Sequence, residues 1–195
     1  MQHQPSLTTA RLTLRPFTLD DAWDVERLAG EREIADTTIN IPHPYPVGAA
    51  ARWIETHRKT WEDGTDATFA IVDSQSEKLV GAISLMSISK VHRRGEIGYW
   101  IAREQWNKGF ATEAGLRLLA FGFDDLKLNR IEGRHFLRNL ASGRVIQKLG
   151  MQREGAQRDW ALKWNRYETL AVYSILEPEW RALQSNGPTG RAASR

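Results

Sequence analysis

The chain has 195 residues, no cysteine and a formal net charge of +3. Its length suits one domain with a sizeable core, and the lack of cysteine excludes disulfides, thiolate metal ligands and a cysteine nucleophile. The weak positive charge suits an anionic ligand but is too small to indicate direct binding to nucleic acid.

Other whole-chain features narrow the class of protein further. No apolar run is long enough for a transmembrane helix, and the N-terminus lacks the apolar core of a signal peptide. We therefore expect a cytoplasmic protein with no membrane partner. The 5 histidines are not paired at metal-ligand spacing, so no metal is expected.

The first third of the chain predicts one strand and two helices. Apolar and polar residues alternate over RLTLRP (11–16), which is typical of a strand. Thr18 and Asp21 are spaced as a capping box for the helix that follows. The proline-rich segment INIPHPYPVG predicts a loop. A second helix is expected from about Val47 to Trp61, with His57 near its buried face.

Three strands are predicted next, in TFAIVD (68–73), LVGAISLMSI (79–88) and RRGEIGYWIA (93–102). The polar residues between the first two predict a hairpin turn. Gly95 and Gly98 interrupt the third strand, which indicates a bulge or the close approach of another backbone.

Helices and strands alternate over the next part of the chain. The segment from Thr112 to about Phe123 is apolar nearly all round, which is typical of a central helix buried on both sides. NRIEGRHF (129–136) predicts a strand. In the helix after it, Asn139 is the expected N-cap and Gly150 the expected C′ residue.

The C-terminal part predicts two short strands and a tail. The strands are expected at about Met151–Glu154 and Leu170–Leu176, joined by a tryptophan-rich segment. Residues 185–195 are small and polar, which predicts a disordered tail. The resulting order, β-α-α-β-β-β-α-β-α-β-β, indicates a mixed α/β domain.

A loop that contains glycine, WNKGFAT (106–112), joins the third predicted strand of the β region to the central helix. A helix N-terminus has unpaired backbone N–H groups and the positive end of the helix dipole. Gly109 allows the backbone to approach a phosphate closely, and Lys108 adds a cation. The alternative is that Gly109 only permits a turn before a packed helix, and the loop matches neither a Walker nor a G-x-G-x-x-G motif.

Several segments, in the same order, resemble the GCN5-related N-acetyltransferase (GNAT) superfamily. They resemble most closely its branch of bacterial ribosomal-protein N-terminal (alanine/serine) acetyltransferases. The segments are TTARLTLRPFTLDDA, PHPYPVGAAARWIE, GEIGYWIAREQWNKGFATEAGLRLLAFGF, NLASGRVIQKLGMQREG and LAVYSIL, within roughly residues 7–177. The resemblance implies a single-domain GNAT fold over residues 1–184. That fold is a mixed, mostly antiparallel central sheet with splayed strands 4 and 5, flanked by helices.

The resemblance also implies acetyl-CoA as the cosubstrate and assigns residues to it. Those implied to line the pantetheine arm are Trp100, Ile101 and Ala102. Those implied to hold the diphosphate are Asn107, Lys108, Gly109, Phe110, Ala111 and Thr112. Trp106 stands where the superfamily has Gln or Arg, a substitution that the resembling branch tolerates.

Two residues of the next motif are implied to act near the thioester. Asn139 matches an asparagine that contacts the cofactor arm, besides being a helix cap. The superfamily often has a tyrosine acid seven residues later, and Ile146 occupies that position here. The branch instead has a serine that matches Ser142, which becomes the candidate general acid or hydrogen-bond donor to the sulfur. The alternative for Ser142 is an ordinary serine in the first turn of a helix.

Direct attack of an amine on the thioester also needs a way to keep the amine neutral. An α-amino group is roughly 10–20% neutral at pH 7, whereas a lysine amine is neutral about once in a few thousand molecules. Asp159 and Glu168 are our candidates for the carboxylate that assists. Glu96 and Glu113 are further options. Each of these carboxylates is alternatively a surface charge or an ion-pair partner.

We therefore expect an enzyme that moves an acetyl group from acetyl-CoA to a primary amine, in first place the α-amino group of a ribosomal or other protein N-terminus. The alternatives are a small amine (an amino acid, a polyamine or an antibiotic) and a non-catalytic acyl-CoA-binding module. The sequence leaves open whether the chain is a monomer or a homodimer. It also leaves open whether certain tryptophans form an acceptor wall or fill the core and a dimer contact. These are Trp100, Trp106, Trp160 and Trp164.

Overall fold

An open sheet of eight strands organises the computed structural model, which describes residues 3–186. The strand order is β1-β2-β3-β4-β5-β6-β8-β7, and every neighbouring pair is antiparallel except β5 with β6. The strands are β1 (Leu7–Thr8), β2 (Leu12–Arg15), β3 (Ala67–Asp73), β4 (Leu79–Ser89), β5 (Arg94–Ile101), β6 (Arg130–Phe136), β7 (Gln152–Lys163) and β8 (Arg166–Leu176).

Helices cover both faces of this sheet. They are α1 (Ala22–Ala29), α2 (Arg32–Asp36), α3 (Ala49–Asp63), α4 (Phe110–Ala120), α5 (Leu140–Lys148) and α6 (Glu177–Asn186). One buried cluster joins the sheet to α4, α5 and α6, and a second joins it to α1 and α3. Alternation along β5 sends Ile101 to the first cluster and Trp100 to the second. The sheet therefore separates an α4 face from an α1–α3 face.

The predicted helix caps are confirmed. Before α1, the Asp21 carboxylate accepts a hydrogen bond from the backbone N–H of Thr18 at 2.8 Å. At α5, Asn139 Oδ1 accepts one from the backbone N–H of Ser142 at 3.1 Å. Gly150 follows the C-cap of α5 with φ of 80°, a left-handed conformation that glycine adopts at little cost.

The expected close approach of another backbone is not what the glycines of β5 mark, because the neighbour of Gly98 is a side chain and Gly95 has room for a Cβ atom. A Cβ atom at Gly98 would lie 2.5 Å from Met86 Cε on β4, so only glycine fits without displacing that side chain. The bulge itself lies in β4, where the register with β5 shifts between Met86 and Ser89.

The prediction for the last two strands was wrong in length. β7 has 12 residues and β8 has 11, so Trp160 lies within β7, and the connection shrinks to a tight turn at Trp164 and Asn165. β7 is an edge strand whose residues are mostly exposed, and its register with β8 shifts between Gln157 and Ala161. Apolar alternation, the signal that reveals a strand in a sequence, is therefore missing from most of it.

Three short elements were not predicted: β1, α2 and α6. The indole of Trp180 on α6 is buried against the ring of Phe123, with centroids 5.9 Å apart, and this contact holds α6 against the segment that follows α4. Ser185 and Asn186, the first residues of the predicted tail, belong to α6. The rest of that tail lies outside the described residues.

The parallel pair β5–β6 is the expected splayed pair. These are strands 4 and 5 of the sequence prediction, and the additional strand β1 raises each number by one. The two strands are in register only from Arg94–Ile97 and Arg130–Gly133. Beyond that point β6 stays paired with β8, whereas Gly98–Ile101 keeps only β4 as a neighbour. A gap therefore opens between the C-terminal ends of β5 and β6.

A buried histidine lies on the α1–α3 face. His57 is 8% exposed, its ring packs 4.4 Å from that of Trp53, and its ring nitrogens have no hydrogen-bond partner within residues 3–186. Burial lowers the pKa of His57 to about 4, against a smaller opposing effect of Asp66.

We expect His57 to make the protein sensitive to acid. The unfolded chain binds a proton at His57 below about pH 6.5, but the folded chain does so only near pH 4. Stability should therefore fall between these values by about 3 kcal/mol. Urea unfolding at several pH values should show that His57→Phe lacks this component. The exposed control His92→Phe should parallel the wild type. A His57→Phe curve parallel to the wild type would contradict the assignment.

Candidate active site

The N-terminus of α4 presents a row of free backbone donors. Gly109 is the N-cap residue with φ of 83°, and Asn107 also has a positive φ, of 63°. The backbone N–H groups from Asn107 to Thr112 donate to no acceptor in the described part of the chain. Because the helix dipole adds positive potential at the same place, this row of amides suits a phosphate group.

Side chains hold this loop against the end of β5. The Trp106 indole N–H donates to the carbonyl of Ile101 at 2.7 Å, while the ring is 40% exposed. Phe110 is buried in the core, and Lys108 Nζ donates to Gln105 Oε1 at 2.8 Å. The tryptophan at position 106 therefore has a structural role, which is to tie the start of the loop to the strand.

The gap between β5 and β6 begins beside this loop. Trp100 and Ala102 are buried toward α1 and α3, and Ile101 is buried toward α4. Because their side chains are committed to the core, what these residues offer to the gap is the backbone edge of β5. That edge has no strand partner beyond Ile97 within residues 3–186.

A hydroxyl pair spans the gap. Ser142, in the first turn of α5, lies with its Oγ 2.8 Å from the hydroxyl of Tyr99 on β5. Burial raises the pKa of Tyr99 to about 12, although the hydrogen bond with Ser142 acts in the opposite direction. Tyr99 therefore keeps its proton at neutral pH and can donate it to Ser142 Oγ, which leaves the serine hydroxyl proton free for another acceptor.

Charged residues line the α1–α3 face beside the gap. Glu96 and Glu132 face Arg94 and Arg134 around an open cleft of about 200 Å³. Arg134 bridges the two carboxylates, at 3.2 Å from Glu96 and 3.1 Å from Glu132. Burial raises the pKa of Glu96, and the nearby Arg134 only partly offsets this.

Glu168 lies on the same face, in β8, and is 5% exposed. Its Oε1 accepts hydrogen bonds from Arg138 Nε at 2.9 Å and from Arg166 Nε at 2.8 Å. Arg138 also binds the carboxylate of Asp36 at the end of α2, at 2.7 Å. Glu168 is thus an ion-pair partner of Arg138, which is the residue directly before Asn139.

The hairpin β7–β8 forms the outer wall of this face. Asp159 lies at the irregularity of β7 with φ of 50° and has no ion-pair partner within residues 3–186. Next to it, Trp160 is half exposed, and the guanidinium of Arg134 lies 5.8 Å from the centre of its ring. At the tip, Lys163 Nζ donates to the carbonyl of Ile41 at 2.7 Å, which ties the proline-rich loop to the hairpin.

The predicted site residues thus fall into two groups. Those expected to hold the cofactor form one continuous path from Trp100 to Thr112, with Asn139 and Ser142 across the gap. Asp159 and Glu168 lie on the hairpin that walls the α1–α3 face.

Sequence reasoning missed Tyr99 and Arg138. Alternation in β5 places Tyr99 on the buried α4 face, where a phenol needs a polar partner, and this signal could have identified it. Arg138 gave no such signal.

Within residues 3–186, no helix is long and apolar enough to cross a membrane. No group of three or more histidine, aspartate or glutamate side chains there is arranged to hold a metal ion.

Comparison with known proteins gives a consistent result. A family model described as an acetyltransferase (GNAT) domain matches residues 11–152. The uncharacterized N-acetyltransferase YoaA of Bacillus subtilis is 31% identical over 89% of this chain and 98% of its own length. The ribosomal protein uS5-alanine N-acetyltransferase of Escherichia coli is 23% identical over 89% and 92%.

A solved structure extends the likeness to three dimensions. Spermidine N-acetyltransferase from Vibrio cholerae, in complex with CoA and spermine, matches with a TM-score of 0.77 at 25% identity. The match covers 89% of this chain and 99% of that chain. Similar proteins thus include one that is named for an alanine of a ribosomal protein and one that is named for a polyamine.

Proposed function

The chain belongs to the GNAT acetyltransferase family, and on that premise we propose that it acetylates the α-amino group of a protein or peptide N-terminus. The family makes it an acetyl-CoA-dependent N-acetyltransferase. The choice of acceptor is our proposal, and so are the roles of individual residues, a cytoplasmic location and a ribosomal protein as one candidate partner.

The diphosphate of acetyl-CoA would be held by the free amides from Asn107 to Thr112. The fit rests on the left-handed Gly109, whose missing Cβ lets a ligand approach the row of donors. The pantetheine arm would lie in the gap beyond Ile97, along the free backbone edge of β5 near Trp100, Ile101 and Ala102. Asn139 would face the arm from the start of α5. Acetyl-CoA supplies the thioester that the amine attacks.

Ser142 would donate a hydrogen bond to the departing sulfur. The support is its contact with Tyr99, which is protonated at neutral pH and can donate to Ser142 Oγ. A donor to the serine oxygen stabilises any negative charge that develops there, so Ser142 becomes a better acid. A thiolate is itself a fair leaving group, so modest help is enough.

The acceptor amine would approach from the α1–α3 face, because α4 and α5 cover the other face. An α-amine needs little activation, since a substantial fraction is neutral at pH 7. Asp159, which has no ion-pair partner within residues 3–186, is the candidate to accept its proton through water. Glu168, held by two arginines, would then position Arg138 and the turn before Asn139.

One observation favours a peptide acceptor over a polyamine: apart from Asp159, the carboxylates described on the acceptor face are matched by arginines. Glu96, Glu132 and Glu168 each pair with at least one arginine. A polyamine carries several positive charges and needs unpaired carboxylates. The balanced face instead suits a single amine on a peptide, with the half-exposed Trp160 as a flat surface for the peptide backbone.

We expect Gly109→Glu to abolish acetyl-CoA binding. The new side chain would occupy the space before the amides, and its charge would repel the diphosphate. Isothermal titration calorimetry measures the affinity. Gly155→Glu is the control, because a Cβ atom there meets nothing within 4 Å. Unchanged affinity in Gly109→Glu would place the diphosphate elsewhere.

Ser142→Ala should lower kcat by about tenfold or more, with a smaller effect on the Kd of acetyl-CoA, because the donor acts on the leaving sulfur. Steady-state kinetics and calorimetry on the same preparation separate the two effects. Ser6→Ala, at an exposed position, is the control. An unchanged kcat would mean that Ser142 has no role in catalysis and is only a first-turn helix residue, whose backbone N–H donates to Asn139.

The acceptor is tested by following thiol release from acetyl-CoA with a panel of amines. The panel contains peptides that begin with Ala or Ser, the same peptides with a blocked N-terminus and an internal lysine, free amino acids, spermidine and an aminoglycoside. The highest kcat/KM is expected for the free peptides and no turnover for the blocked ones.

Other outcomes of this panel would correct the proposal in different ways. Faster turnover of spermidine than of any peptide would refute the peptide acceptor and leave the enzyme class intact. Tight binding of acetyl-CoA without transfer to any amine would instead support a non-catalytic acyl-CoA-binding module.

A further inference from the structure

The turn between β1 and β2 lies against the start of α4, far away in sequence. Its Arg11 is half exposed, with the guanidinium 4.8 Å from the centre of the Phe110 ring. Arg11 Nη1 donates to the carbonyl of Lys108 at 3.1 Å, and a Cβ atom at Gly109 would lie 3.5 Å from Arg11 Nη2. The guanidinium is therefore a neighbour of the free amides at the helix N-terminus.

Glu113, in the first turn of α4, fixes the guanidinium in this place. Its Oε2 accepts from Arg11 Nε at 2.7 Å and lies 2.6 Å from Nη2. Its Oε1 accepts from the backbone N–H of Arg11 at 2.9 Å and from the Thr9 hydroxyl at 2.6 Å. Both ends of the carboxylate are thus used to hold one arginine, which orders a long side chain before any ligand arrives.

The guanidinium has donors to spare. Arginine has five N–H groups, and the contacts with Glu113 and Lys108 use three of them. One N–H remains on each terminal nitrogen, with no acceptor in the described part of the chain. Two N–H groups in one plane match two oxygens of a phosphate.

The charges around Glu113 also require a cation. Burial alone would raise the pKa of Glu113, but hydrogen bonds from Thr9 and Arg11 outweigh it and lower that pKa. The carboxylate is therefore ionised at neutral pH, on the residue that directly follows the amide row. Without Arg11, this negative charge would repel a phosphate bound there.

We propose that Arg11 binds the diphosphate of coenzyme A beside the amides of Asn107–Thr112, and that Glu113 positions it for this contact. The inference rests on the proposed function, because it takes the amide row as the diphosphate site. It makes the N-terminal hairpin part of the cofactor site, although nearly a hundred residues separate it from the loop.

The test measures the Kd of CoA and of 3′-dephospho-CoA by calorimetry at low and at high salt. Arg11→Met should weaken both ligands by about tenfold or more at low salt, since both contain the diphosphate. At about 1 M salt the Debye length falls to about 3 Å, so the difference from the wild type should shrink. Arg58→Met, an exposed arginine on α3, should bind as the wild type does.

The remaining outcomes would overturn the proposal. An unchanged Kd in Arg11→Met would remove Arg11 from the site. A loss that persists fully at high salt would mean that Arg11 only supports the loop. A loss for CoA but not for dephospho-CoA would move the contact to the 3′-phosphate.

Two further results, a variant that fails to fold and a wild type that fails to bind CoA, would also be informative. If Arg11→Met fails to fold, Arg11→Lys should show a smaller loss that again shrinks with salt, and no loss would refute the proposal. Failure of the wild type itself to bind CoA would instead refute the proposed function.

Discussion

The architecture depends on one constraint, which is that β5 and β6 are in register over four residues and then separate. Strand pairing normally satisfies both edges of an inner strand. Here one edge of β5 is left free next to a helix N-terminus whose first amides are also unpaired. Two sets of unused backbone donors therefore meet at one place. A pantetheine arm and a diphosphate are complementary to this combination.

The two faces of the sheet differ in the chemistry of the side chains that they carry. On the α4 face, packing is mostly apolar, and the hydroxyls of Tyr99 and Ser142 meet across the gap. On the α1–α3 face, carboxylates and arginines alternate beside the gap and are matched in pairs. On the proposed function, an acetyl donor that enters from the first face would meet an acceptor held on the second. The balance of charge there would make the acceptor face selective without a strong net field.

Much of the fold was predictable because its signals are local. The capping pair Thr18 and Asp21 and the N-cap Asn139 each act within a few residues, and the structure confirms them. The apolar segment correctly predicted the helix α4, but its burial on both sides was wrong, because Leu116 is exposed. The extent of β7 was not predictable, because an exposed edge strand with an irregular register has no apolar alternation. α6 was missed because its main anchor, Trp180, is buried by a residue far away in sequence, Phe123.

The sequence by itself determined the order of most elements and the glycine before α4, because these follow from residue types at short spacing, and its resemblance to a known superfamily indicated the family. Only the tertiary structure decided which side chains meet. Arg11 and Glu113 are 102 residues apart in sequence, and Asp36 and Arg138 are equally distant. Tyr99 reaches Ser142 across a gap that exists only once the sheet has formed. The physical reason is that an ion pair or a hydrogen bond requires proximity, and proximity across a sheet depends on the register and order of its strands, which are set by the whole fold.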